Sequence, residues 1–229
     1  MFEVIAFDAD DTLWHNESIF TMTQIKFCEM LSSHGAEVVD QTLFSTQIKN
    51  LQHFGYGIKG FMLSMIETAI ELTDGEVRGH EIQQILDFGR EMLAAPIELL
   101  PHVREVVEEL SQNYSLLLIT KGDLIDQETK IARSGLAEFF ADVEIVSDKT
   151  TEVYSKILSR RKIKTSRFMM IGNSMRSDIV PIVQIGAHAV HVPYLSTWEH
   201  EQDHPPVDPE HYTELNHLGL LPQLIREKE

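Results

Sequence analysis

Hydrophobic positions divide the chain into two regimes. It opens on an apolar run, residues 1–7, of the length and continuity of a buried strand, followed by Asp8, Asp10, Asp11 and Thr12. From residue 15 to about residue 100 the apolar positions recur at helical spacing. In 18–34 they are Ile19, Phe20, Met22, Ile25, Phe27, Met30 and Leu31, with Gly35 placed to end the helix. Asp40 is expected to cap a second helix reaching residue 53. Gly55, Gly57 and Gly60 interrupt the pattern, so 55–60 reads as a loop. Helices over 61–72 and 79–92 follow, separated by an Asp74–Gly75 turn, and Pro96 and Pro101 bracket the way out.

The second regime alternates. A helix is expected over 103–110. Ser115, Leu116, Leu117, Leu118 and Ile119 then form an apolar run suited to a strand covered on both faces. Next come a helix over 127–134, a strand over 142–146 and a helix opening at Lys149 and ending near Arg161. A strand over 167–171, a helix over 179–185 with Pro181 in its first turn, and a strand over 187–192 complete the series. Such alternation implies a parallel sheet with helices on both faces, a Rossmann-like α/β core. The expected core is 1–14 with 101–229, and the expected inserted helical domain is 15–100. The insertion, about 85 residues, is far longer than a strand-to-strand crossover requires. An all-helical continuation of the core is the alternative, and the return of β/α alternation argues against it.

The remainder is less patterned. Residues 195–212 are polar and read as loop with a short helix near Trp198. His200, Asp203 and His204 lie there at no diagnostic metal spacing and are read as part of that loop. A terminal amphipathic helix is expected over 215–225, with 226–229 frayed.

Composition narrows the partners. Hydrophobic residues make up 43% of the 229 positions, enough to fill a core, and the formal net charge is −17. That charge disfavours nucleic acids and anionic membranes as partners, whereas a small anionic substrate can still meet local Lys, Arg and metal. One cysteine, Cys28, forms no intramolecular disulfide and fits a helical core position. With no membrane-length apolar run and no basic leader at its start, the chain is expected in the cytoplasm.

The chemistry concentrates at the ends of the expected strands, where ligands of such sheets bind. Three neighbouring aspartates repel one another, which points to a hard cation, Mg2+ first, or else to a helix cap or turn. Asp8-x-Asp10-x-Thr12 after an N-terminal strand resembles the first motif of the haloacid dehalogenase-like hydrolases. Thr120 resembles their second motif and Lys149 the third. Gly172, Asn173 and Asp178, in GNSMRSD, resemble the fourth, and the helical insertion resembles their C1 cap. The resemblance implies Asp8 as nucleophile and Asp10 as general acid/base, its backbone carbonyl also facing metal. It further implies Thr120 with the Lys121 and Gly122 amides on phosphate, Lys149 as charge neutraliser, and Asn173 with Asp178 completing the Mg2+ shell. Tyr56 and Lys59, in the insertion's glycine-rich loop, are the expected leaving-group contacts.

The expected function is a Mg2+-dependent phosphatase of a small phosphorylated metabolite. Alternatives are a 2-haloacid dehalogenase, against which Asp10 counts, and a non-catalytic binding protein on the same scaffold. Two departures stand out: Asn173 replaces a frequent Asp, and the Lys149 segment lacks the usual following prolines. Lys156 is a rival for the lysine but lies farther from the strand end.

Overall fold

The computed structural model describes residues 1–208 and 210–228. The last residue of the expected frayed tail and one residue of the 195–212 loop lie outside the described residues. The chain divides into two compact units: Met1–Glu17 with Ile97–Lys121 and Gln127–Glu229, and Ser18–Pro96 with Gly122–Asp126.

Among the described residues the first unit is built on six parallel strands: β1 (Val4–Phe7), β2 (Ser115–Lys121), β3 (Asp142–Val146), β4 (Phe168–Gly172), β5 (His188–His191) and β6 (Tyr212–Glu214). Their order is β3-β2-β1-β4-β5-β6, which is the expected Rossmann-like α/β sheet. Alternate residues serve opposite faces. Ile5, Phe7, Leu116, Leu118, Met169 and Ile171 pack in one core with Val103, Val106, Val107 and Leu110 of α5 (Val103–Ser111) and with Leu221 and Ile225 of α9 (Leu221–Lys228). Ala6, Leu117, Ile119, Phe168 and Met170 face the other way, onto Tyr154, Ile157 and Leu158 of α7 (Thr151–Arg161) and Ile182 of α8 (Val180–Gln184). The remaining helix on the sheet, α6 (Leu124–Ser134), contributes Ile131 to the first core. Strand order reverses between β1 and β4, and this switch point opens the crevice at the carboxyl end of β1.

Several boundaries differ from expectation for local reasons. Helix α7 starts at Thr151, because the Thr150 hydroxyl accepts from the Val153 amide at 3.3 Å and takes the capping place; Lys149 therefore precedes the helix. A π-helical turn, Met175–Ile179, precedes α8, and the Ser174 hydroxyl caps it by accepting from the Ser177 amide at 3.0 Å. Strand β6 was not expected: Tyr-Thr-Glu carries no apolar run, and the pairing of Ala189 with Tyr212 and His191 with Glu214 creates it. Residues 226–228 are helical rather than frayed, and Arg226 pairs with Glu109 at 3.2 Å.

The second unit is helical, with α1 (Glu17–Met30) entering it, then α2 (Ala36–Phe54), α3 (Ile58–Leu72) and α4 (Gly79–Ala94). Phe27, Val39, Leu43, Phe61, Met65, Ala69 and Ile85 form its core, with Cys28 partly buried against it. Asp40 is not a cap, since α2 already begins at Ala36. The loop after α2 is shorter than expected. Gly57, at φ 110°, precedes α3, so Lys59 and Gly60 belong to the first helical turn. Gly60 is required there, because a Cβ would come within 2.7 Å of the Gly55 carbonyl oxygen. Among the described residues no helix is long and apolar enough to cross a membrane.

Buried His188 on β5 offers a test of this packing. Its Nδ1 lies 3.1 Å from the Glu210 carbonyl oxygen, which only accepts, so Nδ1 carries the proton. Nε2 is then free to accept from the Thr213 hydroxyl at 3.2 Å, which makes the neutral ring the form that fits. Burial, with Lys228 nearby, pushes its pKa down from 6.5 to about 4. The unfolded chain binds this proton more readily, so the contribution to stability is present above pH 6.5 and lost as pH falls through 4. Urea unfolding between pH 7 and pH 4 should show His188→Gln losing less stability on acidification than the wild type, by about 2 kcal/mol.

Candidate active site

The site is assembled by strand register. Phe7 lies beside Leu118 of β2 and Ile171 of β4, so Asp8, Thr120, Gly172 and Asn173 leave the sheet at one edge. The Asp8 amide extends the ladder, donating to the Ile171 carbonyl at 2.8 Å.

Asp8 is buried, with both carboxylate oxygens engaged. The Lys149 ammonium donates to one, and the Thr12 hydroxyl donates to the other at 3.0 Å. Lys149 also donates to Asp178 at 2.7 Å, so one ammonium bridges two carboxylates. All three side chains are at most 9% exposed. Burial and the Asp178 charge push the Asp8 carboxyl above its ordinary range, against the pull of Lys149. Burial also opposes the charge on Lys149, but Asp178 and Asp8 overcome it and raise its pKa. The rival Lys156 is exposed on α7.

Asp178 reaches this position because Gly172 has no side chain. A Cβ on Gly172 would lie 2.3 Å from the Asp178 carboxyl. The Ser174 amide donates to the other Asp178 oxygen at 3.0 Å, and the Tyr154 hydroxyl donates to the Ser177 carbonyl at 3.0 Å. Asn173 joins through its side-chain oxygen, 3.2 Å from the Thr12 hydroxyl.

The other two aspartates have different surroundings. Asp10 is held by Trp14 Nε1 at 2.7 Å, Gln127 Nε2 at 2.8 Å and Lys130 Nζ at 2.7 and 2.8 Å. Burial raises its pKa, but Lys130 and these hydrogen bonds more than compensate and hold it below the usual carboxylate range. Its carboxylate is thus placed with Lys130, apart from the Asp8–Lys149–Asp178 set. Asp11, at φ 62°, accepts from the Asn16 amide at 2.8 Å and the Glu17 amide at 3.0 Å. It caps the start of α1, so the cap reading holds for this aspartate alone.

Thr120 is buried at the end of β2, and Gly122 follows at φ 144°, a backbone conformation that favours glycine. The Lys121 side chain donates to Ser177 Oγ at 2.8 Å and pairs with Glu201. In the helical unit Tyr56 is half-buried, and Lys59 is exposed and bonds Asp123 at 2.9 and 3.0 Å. The 200–204 segment forms no metal cluster: among the described residues no three His, Cys, Asp or Glu are so grouped. His200 instead packs its ring, tilted, against Trp198. Arg176 is exposed and donates to the His200 carbonyl at 3.3 Å rather than to Asp178.

Sequence reading missed Gln127, Lys130 and Glu201. Gln127 and Lys130 are three apart on α6, so they share a helix face, but nothing in that spacing aims them at Asp10. Glu201 sits in the polar segment, in the short helix expected near Trp198, which is a 3-10 turn over Glu199–Glu201.

The sequence model of the haloacid dehalogenase-like hydrolases matches residues 2–186. A haloacid dehalogenase-like family hydrolase from Xanthomonas campestris superposes with a TM-score of 0.89 at 38% identity, over 99% of this chain and 91% of that one. A glyceraldehyde 3-phosphate phosphatase from Pyrococcus abyssi is 23% identical over 206 residues, 85% of this chain and 82% of its own. An L-2-haloacid dehalogenase from Xanthobacter autotrophicus shares the fold at a TM-score of 0.67 and 16% identity, over 100% of both chains. With its parallel sheet, its Asp8-x-Asp10 edge and its Lys149–Asp178 pair, this chain belongs to the haloacid dehalogenase-like hydrolases.

Proposed function

We propose that the chain is a Mg2+-dependent phosphatase of a small phosphorylated metabolite, acting through a phosphoryl group carried on Asp8. The observation that carries this reading is the pairing of two separately held carboxylates. Asp8 lies at the sheet edge between Thr12 and Lys149, and Asp10 lies two residues on with its own partners. The similarity to a glyceraldehyde 3-phosphate phosphatase supports phosphate-ester chemistry. The 2-haloacid dehalogenase reading has Asp10 against it; its mark would be halide release indifferent to EDTA.

The residues suit a hard dication. Asp8, Asp178 and Asn173 offer only oxygen ligands, to which the Asp10 backbone carbonyl can be added. Two buried carboxylates face one ammonium, leaving the set one positive charge short. Mg2+ held there would neutralise charge on the transferring phosphoryl oxygens. An Asp8 oxygen attacks phosphorus and the ester P–O bond breaks, with its electrons passing to the leaving oxygen. Asp10, ionised at rest beside Lys130, passes to that oxygen a proton taken up from solvent. Water then attacks phosphorus, Asp10 takes its proton, and phosphate departs from the regenerated Asp8. Lys149 and the Thr120 hydroxyl face the phosphoryl oxygens, with the Lys121 and Gly122 amides beside them. The helical unit, read as the cap, selects the leaving group through Tyr56 and Lys59.

Turnover of p-nitrophenyl phosphate and of a metabolite panel that includes glyceraldehyde 3-phosphate should require Mg2+ and stop with EDTA. Asp8→Asn should reduce kcat by at least about a thousandfold, and metal-independent turnover or an active Asp8→Asn would defeat the reading. Gly172→Ala, which drives a methyl into Asp178, should cost roughly 1–3 kcal/mol of stability in thermal unfolding and most of the activity. Tyr56→Phe with Lys59→Met should raise KM for the best panel substrate about tenfold while leaving that for p-nitrophenyl phosphate nearly unchanged.

A further inference from the structure

Glu201 ends a short 3-10 turn, Glu199–Glu201, and its side chain is 12% exposed. Its carboxylate collects donors from two strand ends. Lys121, the residue after Thr120, pairs with one oxygen. The other oxygen accepts from Ser174 Oγ and Ser177 Oγ, each at 2.6 Å. Both serines lie in the turn running from Asn173 to Asp178. Within it the Ser177 amide donates to Ser174 Oγ at 3.0 Å, and the Ser174 amide donates to Asp178 at 3.0 Å. An unbroken series of hydrogen bonds thus leads from Glu201 to Asp178.

We infer that Glu201 is the positioning residue of the Asn173–Asp178 turn, fixing Asp178 through Ser174 and Ser177 and tying the turn to the end of β2 through Lys121. The inference rests on the proposed Mg2+ site, whose ligands it orders. A carboxylate is the group this place requires, because three donors converge on it and it only accepts. An amide of the same shape would turn donors toward the Lys121 ammonium or a serine hydroxyl and leave part of the set unmatched. Burial raises the proton affinity of Glu201, but Lys121 and the two hydroxyls bring its pKa down to about 2, so the acceptor stays charged. Groups that orient metal ligands without touching metal commonly govern affinity as strongly as weak ligands do.

The test combines MgCl2 titration calorimetry with amide hydrogen exchange on the full chain, as wild type, Glu201→Gln and Ser177→Ala. Glu201→Gln is expected to weaken Mg2+ binding about 10- to 100-fold. Its amides at 174–178 should exchange at least about tenfold faster, while those of β4 keep their rates. Ser177→Ala, which removes one donor, should fall between, and it decides the question if Glu201→Gln does not fold. Unchanged exchange at 174–178, unchanged Mg2+ affinity in a folded variant, or equal acceleration in turn and strand would overturn the proposal. If the wild type binds no Mg2+, the phosphatase reading fails, and the exchange pattern alone decides the role of Glu201.

Discussion

One ammonium between two buried carboxylates is the constraint around which the sheet edge is built. Removing an ion from water costs several kcal/mol, and the attraction within the set repays it only with good geometry and with the remaining lone pairs satisfied. The neighbouring structure meets that demand. Thr12 and the Ser174 amide take the oxygens that Lys149 leaves. Gly172 gives up its side chain so that Asp178 can approach. Thr150 caps α7 and so leaves Lys149 in the preceding turn, where its side chain meets both acids.

The three aspartates after β1 show how environment separates identical side chains. Asp8 joins a set poor in positive charge, the property that suits it to a dication and a phosphoryl group. Asp10, two residues on, is paired with Lys130. Asp11 turns into the left-handed region and spends its carboxylate on the amides that open α1. The chain's surplus of acidic residues therefore says little about this edge, where local pairing decides the charge on each group.

Much of the architecture was legible because parallel strands buried on both faces write themselves as continuous apolar runs, as in Leu116–Ile119 of β2, and are separated by helices. Strand β6 left no such mark, since it exists only through pairing with β5. Helix starts moved where capping hydroxyls, such as those of Thr150 and Ser174, competed for the first turn. The lysines illustrate the limit. Lys149 and Lys156 are one residue type in one stretch, and only packing buries the first between two acids and leaves the second in solvent.

By itself the sequence determined the alternating core and the family, because hydrophobic period and short polar motifs are local properties of the chain. Tertiary structure decided which acid faces which base. Asp10 meets Lys130 across 120 residues, Lys149 meets Asp8 across 141, and Lys121 meets Glu201 across 80. Such contacts depend on strand order and on where each helix lies over the sheet. Both are set by burial of apolar surface over the whole unit, and no local pattern records the result.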